Sequence, residues 1–594
     1  MDNASTSVRV TRNYLYHSEF IGMRDGVKLA VDIFLPKKMQ APVPTILFQT
    51  RYVRTFEPKR ILGFVGPIFG QVKKKEVAHY TQKGYAVAIV DVRGTGASYG
   101  TRKMEFSPQE VEDGKDVLDW ITQQSWSNGA VGTTGISYLG TTAEFILVNQ
   151  HPALKACVVR SNIFDLYGDM IVPGGVRQGK FVEVWRDTTK SLDTNDFGYI
   201  NPVLKLISRG PKMIGDKKER KTVYDAAQKE HLENFDIFKG IFNIQFRDDI
   251  DPEVGMPVDT FSLHHYADKI AASGTPILRI GGWYDGGLAN SVLKGFQLTS
   301  NTHLAKIGPW DHGPAQNVSP FVRSNKLDYE VLEDIMAFFD KFLKEGSSEK
   351  PTGKKLQYYT FGEEKWKETA EWPPKNVVTQ AWKLSKGHKL IKEDSVEAFE
   401  YEHLINSSLG TGGGARWNSL TVKYRYKRKI AYTDRHIKAK QMINFMSEPL
   451  AEPLTITGHP TVSISIKSDA TDLQLFAYLE EQLPNGKVRY ITEGMIRGIH
   501  RKHHDENPFL LPIPYRTFSK KDAQTWEKDT WYEIHFDLFA VSYQLQKGSR
   551  IKLGFAGADI DHFHHIDEQD CNPEKFAIRT DEVQVSVLNL PVEI

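Results

Sequence analysis

The ten residues VGTTGISYLG, 131–140, constrain this chain more than any other stretch. A run of small and β-branched residues ends at Gly135, Ser137 follows on a turn, and a helix opens near Gly140. A serine so placed projects its hydroxyl above a sheet, because neighbouring glycines let strand and helix approach closely. The backbone N–H of Tyr138 and the helix N-terminus then face any negative charge that develops beside the serine. The common form of this turn is G-x-S-x-G, whereas here position 139 is Leu and the glycine stands at 140. Taken alone the segment is a weak signal, and its meaning depends on its surroundings.

Those surroundings alternate strand and helix. PTILFQTRY and GYAVAIVDVRG are continuous apolar strands of the kind a buried, mostly parallel sheet requires. QEVEDGKDVLDWITQQ places Val111, Val117, Leu118 and Ile121 near one helical face, with acids at its start. FIGMRDGVKLAVDIFLP alternates around Asp25-Gly26, a hairpin signal. Repeated strand and helix is the α/β signature. The expected α/β domain has a first part at 1–162, an insertion of amphipathic helices at 163–273 and a second part at 274–375. Past Glu371–Pro374 the apolar period becomes two, as in Val462, Ile464 and Ile466, and turn signals such as Pro484-Asn485-Gly486 recur. That pattern predicts a β-sandwich or jelly roll over 376–594.

A serine hydroxyl needs a base, and the base needs an acid that sets its tautomer. Two apolar strands supply the candidates in the order Ser, Asp, His. RIGGWYDGG puts Asp285 in a glycine-rich loop just after a strand, and KIGPWDHG puts His312 just after the next. Loops at the carboxyl ends of parallel strands are where such residues belong. Asp311 competes for the acid role, but an adjacent residue rarely aims its carboxylate at its neighbour's Nδ1. Asp91 and Arg93 read as braces for neighbouring loops.

Composition narrows the partners. The formal net charge of the 594 residues is +2, which argues against nucleic acid. No apolar run has the length of a membrane span, and the N-terminus lacks a secretory apolar core. A cytoplasmic protein acting on a small molecule is expected, with no cofactor and no metal; a homodimer is left open. The two cysteines, Cys157 and Cys571, read as free thiols. ADIDHFHHID, 558–567, is rich in ligating residues, but alternate strand residues point to opposite faces, so it reads as a polar strand end.

GISYLG, DVRGTGASYG, GGWYDGG and GPWDHG together resemble the signature blocks of the CocE/NonD family, the cocaine esterase and X-Pro dipeptidyl-peptidase hydrolases. GHPTVSISIKSDATDLQLFAYLEE, ITEGMIRGIHR and LQKGSRIKLGFAGADI resemble that family's C-terminal domain. The resemblance implies an α/β-hydrolase domain with an inserted helical cap and a C-terminal jelly roll. It implies a serine hydrolase that cleaves an ester or amide through an acyl-enzyme on Ser137. It also implies an oxyanion hole made from the Tyr138 amide and the hydroxyl of Tyr52 in QTRYVRT. Relatives acting on X-Pro peptides or α-amino esters must bind an ammonium. The GGLANS after Asp285 carries no acid, and Asp165, Asp169 and Glu183 in the cap, the other candidates, read as solvated or capping residues. A neutral acyl ester, or an amide, is therefore expected. X-Pro dipeptidyl-peptidase or β-lactam acylase-type amide hydrolysis are the alternatives, and a non-catalytic binding protein is the rival from another class. Trp185, Trp283, Tyr284 and Trp310 are candidates for the lining of the acyl pocket, with core packing the equal alternative for each.

Overall fold

In the computed structural model the hairpin at Asp25-Gly26 opens the first sheet, with β1 (Tyr14–Gly22) and β2 (Lys28–Pro36) paired antiparallel across it. The structure describes residues 8–59, 68–196, 202–216, 218–236, 240, 244–322, 331–344, 353–420, 432, 434–566 and 571–594. The sheet continues with β3 (Val43–Thr50), β4 (Ala86–Asp91), β5 (Ser127–Ile136), β6 (Leu154–Arg160), β7 (Ile277–Gly282), β8 (Thr302–Gly308), β9 (Lys355–Thr360) and β10 (Lys365–Thr369). Their spatial order is β1-β2-β4-β3-β5-β6-β7-β8-β9-β10, with the two-residue strand Arg9–Val10 outside β1. Neighbours from β4 to β9 run parallel. All residues of β4 and β7 are buried, which is why they read as unbroken apolar runs.

The principal helices are α1 (Lys74–Gln82), α2 (Pro108–Thr122), α3 (Tyr138–Phe145), α4 (Gly179–Asp193), α5 (Arg220–His231), α6 (Leu288–Leu298) and α7 (Val331–Phe339). α2 starts where its sequence dictates: Ser107 caps it by accepting from Glu110 N at 3.3 Å, and Pro108 occupies the first turn. Its Val117, Leu118 and Ile121 are buried. α4 and α5 belong to the insertion between β6 and β7. A small sheet stitches that insertion down: Ser208–Pro211 pairs with Thr55–Pro58 from the loop after β3, which in turn pairs with Ile68–Phe69.

Among the described residues a second sheet of thirteen strands occupies the C-terminal part, from Val377–Ser385 to Val587–Glu593. Those first and last strands pair antiparallel, from Val377 opposite Glu593 to Lys383 opposite Val587. Val462, Ile464 and Ile466 are buried as their period of two requires. The core of this domain is continuous with the first, since Trp283 and Tyr284 beyond β7 are buried in it. Among the described residues no helix is long and apolar enough to cross a membrane.

Parallel strands bring all their carboxyl ends to one edge. Tyr52 follows β3, Arg93 follows β4, Ser137 follows β5, Asp285 follows β7 and His312 follows β8. The chemistry-bearing side chains therefore share an edge although they are scattered over 260 positions of sequence (52 to 312).

Candidate active site

Ser137 sits between β5 and α3 with φ 60° and ψ −122°. That is a strained conformation for a residue with a Cβ, costing roughly 1–3 kcal/mol. The glycines explain how it is held. A Cβ on Gly135 would lie 2.3 Å from the backbone of Leu139, and one on Gly140 would lie 2.9 Å from the Arg160 carbonyl oxygen. The glycine is needed at 140 because that position faces the end of β6, while Leu139 is buried in the core. Ser137 N–H donates to the same Arg160 carbonyl at 2.9 Å, which fixes the turn. Ser137 is half-buried, between the buried Gly135 and Tyr138.

Asp285 and His312 meet beyond β7 and β8. His312 Nδ1 lies 2.9 Å from Asp285 Oδ1 and 3.1 Å from Oδ2, and both residues are buried. A carboxylate only accepts, so Nδ1 carries the proton and Nε2 is the basic nitrogen. The two loops cross tightly because β7 ends in Gly282, where a Cβ would lie 2.1 Å from the Trp310 carbonyl oxygen. Asp311 does other work, accepting from Ala315 N at 3.0 Å and Gln316 N at 2.8 Å to shape the loop after β8. That loop also reaches the serine turn. Gly313 N–H donates to Ser161 Oγ at 3.0 Å, and a Cβ on Gly313 would lie 2.7 Å from Ile136 Cγ2. The residue before Ser137 and the residue after His312 are thus in contact.

Tyr52 lies beside the same turn, its ring centroid 6.0 Å from that of Tyr138. Its hydroxyl oxygen accepts from Trp185 Nε1 on α4 at 2.8 Å. Burial pushes the Tyr52 phenol up to about 12, so it stays protonated. Its loop is anchored by buried charge: Arg54 pairs with Asp91 and with Asp32, and Arg51 pairs with Glu105 and Asp193. Tyr138 opens α3, so its N–H is one of the orphan donors of a helix start. Its phenol lies 2.7 Å from both oxygens of Glu110, whose carboxyl burial raises to about 8. Arg93 braces α2 through Asp113, with Nε at 2.8 Å and Nη2 at 2.7 Å.

The pocket residues read from sequence divide. Trp185 is half-buried, stacks on Phe181 and lies under the Arg51 guanidinium. Trp283, Tyr284 and Trp310 are packed into the interior. Trp283 donates Nε1 to the Tyr359 carbonyl, and Tyr284 donates its hydroxyl to the Tyr490 carbonyl. Trp310 fills the space over Gly308, its ring tilted at 53° to that of Trp366 with centroids 5.5 Å apart. Sequence could not separate these roles, because an aromatic residue beside a strand end serves core and pocket equally well.

The three cap carboxylates are engaged elsewhere. Asp165 pairs with Arg247 and Lys294, Asp169 accepts from Lys294 and Ser291, and Glu183 pairs with His564 and Lys180. The ligating residues of 558–567 disperse: Asp559 accepts from Thr411 and Tyr478, and His562 contacts the Gly412 carbonyl. Asp259, His264 and His265 do converge, a cluster not read from sequence. Arg247 Nη1 lies 3.1 Å from both oxygens of Asp259, so a guanidinium already holds that carboxylate. Sequence reading also missed Glu110 and Ser419. The latter donates to Asp285 Oδ1 at 3.1 Å from 134 residues away, and no spacing rule could find it.

This architecture is that of the α/β-hydrolases, and the chain is a serine hydrolase. Residues 25–314 match the family model of the X-Pro dipeptidyl-peptidase (S15 family), and residues 349–587 match that of the X-Pro dipeptidyl-peptidase C-terminal non-catalytic domain. The chain is 34% identical to a Mycobacterium bovis protein, Mb1866c, assigned as a serine esterase, over 98% of this chain and 96% of that one. It is 24% identical to the cocaine esterase of a Rhodococcus species, over 93% of this chain and 92% of the relative. A CocE/NonD family hydrolase from Staphylococcus aureus has the same fold, with a TM-score of 0.69 at 18% identity, covering 97% of this chain and 94% of that one. An α-amino acid ester hydrolase superimposes with a TM-score of 0.70 at 20% identity, covering 99% and 98% of the two chains. The chain belongs to the X-Pro dipeptidyl-peptidase (S15) and CocE/NonD hydrolase family.

Proposed function

We propose that this hydrolase transfers a neutral acyl group from an ester, or an amide, to Ser137 and then to water. His312 Nε2 removes the Ser137 proton as the hydroxyl attacks the carbonyl. Asp285 holds the imidazole by Nδ1 and stabilises the imidazolium. The Tyr52 phenol and the Tyr138 amide donate to the oxyanion. The leaving group takes the proton from His312, and water then repeats the sequence on the acyl-enzyme. The observation that carries this reading is the buried His312–Asp285 hydrogen bond at 2.9 Å, in a loop that also touches the residue before a serine at φ 60°.

The neutral acyl preference is supported by the fate of the three candidate acids. Asp165, Asp169 and Glu183 face Arg247, Lys294 and Lys180 of the chain itself. A substrate ammonium would have to displace Lys294 or Arg247 from a desolvated pair, at a cost of several kcal/mol. An aminopeptidase reading would need a carboxylate outside this set.

A fluorophosphonate probe and a substrate panel test both parts. Labelling is expected on the wild type and absent in Ser137→Ala. Asp285→Asn is expected to lower turnover about 10⁴-fold, by analogy with serine proteases, while Asp311→Asn leaves most of it. Neutral activated esters are expected to turn over faster than X-Pro anilides. An Asp311→Asn collapse with Asp285→Asn active would reverse the acid assignment, and preferred X-Pro cleavage would end the neutral-acyl reading.

A further inference from the structure

The segment 415–420 lies in the C-terminal half of the chain, yet it folds against the loop that carries Asp285. Asp285 is fully buried, and a buried carboxylate is costly unless donors meet its lone pairs. His312 is one donor. Ser419 is another: its Oγ lies 3.1 Å from Asp285 Oδ1, and the serine is fully buried. The same hydroxyl lies 3.1 Å from the Arg416 carbonyl, but it has a single proton, and a charged acceptor binds it more strongly.

The next residue is gripped as well. Gly286 N–H donates to the Arg416 carbonyl at 3.1 Å, and the Gly286 carbonyl accepts from Arg416 Nη1 at 3.4 Å. Gly286 has φ +53°, and a Cβ there would lie 2.8 Å from Leu420 Cδ1 and 3.3 Å from Trp417 Cζ3. Arg416 is itself tied to the second sheet, through Nε to Tyr490 Oη at 3.1 Å and Nη2 to Thr492 Oγ1 at 2.9 Å. Both partners lie on the strand Val488–Arg497.

We propose that Ser419 is a positioning residue for the hydrolysis, acting through Asp285, and that Arg416 fastens it to the second sheet. The C-terminal domain thereby completes a site whose Ser137, Asp285 and His312 all lie in the other domain. The proposal rests on the assignment of Asp285 as the acid. A carboxylate turns easily about its terminal torsion. Both Asp285 oxygens lie near Nδ1, at 2.9 and 3.1 Å, so the imidazole alone does not choose between them. A donor on Oδ1 pins the carboxylate plane, and with it the ring that must meet the serine. The benefit appears when the imidazolium forms, so its loss falls on kcat rather than KM.

The test is a double-mutant cycle on the full chain with a neutral activated ester: wild type, Ser419→Ala, Asp285→Asn and the double variant. A hydrogen bond to a charged group contributes about 1.5–3 kcal/mol, so Ser419→Ala is expected to lower kcat at least about tenfold, with KM within about twofold. Ser419→Thr, which keeps the hydroxyl, is expected to recover most of the loss. In the Asp285→Asn background, removing Ser419 is expected to change kcat less than about threefold, because residues acting as a unit are not additive. An undiminished loss in that background would show a structural role and overturn the proposal. So would a Ser419→Ala enzyme within twofold of wild type when Asp285→Asn is crippled; the acid assignment would then stand without Ser419. An active Asp285→Asn enzyme would instead remove the assignment itself. If Ser419→Ala does not fold, Ser419→Cys, a weak donor of similar size, carries the same comparison.

Discussion

Replacing Tyr52 by Phe removes the one side-chain hydrogen bond that the proposed mechanism gives the oxyanion. An indole N–H can only donate, so in the 2.8 Å contact with Trp185 the Tyr52 oxygen is the acceptor. The phenol proton then points elsewhere, and in the proposed mechanism it donates to the oxyanion formed at Ser137. Removing an oxyanion donor of this kind costs about 2.7–4 kcal/mol, or 10²–10³ in kcat. Tyr52→Phe is expected to lose that factor with little change in KM. Trp185→Phe removes only the partner that orients the phenol. A neutral hydrogen bond contributes about 0.5–1.5 kcal/mol net, so that variant is expected to fall roughly 2- to 13-fold. Steady-state kinetics on a small activated ester resolves the two. The phenol also predicts a pH signature. Burial raises it to about 12, so the donor form persists through the range in which esterases are assayed. An alkaline fall in kcat near pH 9 that disappears in Tyr52→Phe would refute this account. So would a Tyr52→Phe enzyme within threefold of wild type.

Two further outcomes follow from the same geometry. Gly140→Ala places a Cβ 2.9 Å from the Arg160 carbonyl oxygen, where neither backbone can yield cheaply. It is expected to cost about 1–3 kcal/mol in stability and to lower kcat by shifting the turn at Ser137, measured by melting and turnover together; unchanged turnover would contradict it. Glu110 keeps its proton in the fold up to about 8, through burial, whereas the unfolded chain releases it near 4.5. The folded state then binds more protons between those values, and stability falls as pH rises across that window. Glu110→Gln cannot ionise, so its melting temperature relative to wild type is expected to rise from pH 5 to pH 8; a flat difference would refute the buried protonated carboxyl.

Much of the site was legible because it lies at strand ends. Gly135, Ser137 and Gly140 announce a strand turning into a helix, and two further apolar strands each deliver one polar residue into a loop. The pocket was less legible. Trp283, Tyr284 and Trp310 carry the same local signal as Trp185, and only packing separates the residues that fill a core from the one that meets Tyr52. The pairing of Asp165 and Asp169 left no local signal because the cations that hold them lie as far as 129 positions away (165 to 294).

Local pattern alone determined the strands, the α/β alternation, the turn at Ser137 and the order in which Asp285 and His312 follow it. These depend on the covalent neighbours of each residue: apolar period, glycine placement and helix caps. The tertiary structure alone decided that Trp185 holds Tyr52 and that Ser419 and Arg416 reach the Asp285 loop from the other domain. Such contacts join residues remote in sequence, and a hydrogen bond over 3 Å leaves no trace in the period or spacing of either partner.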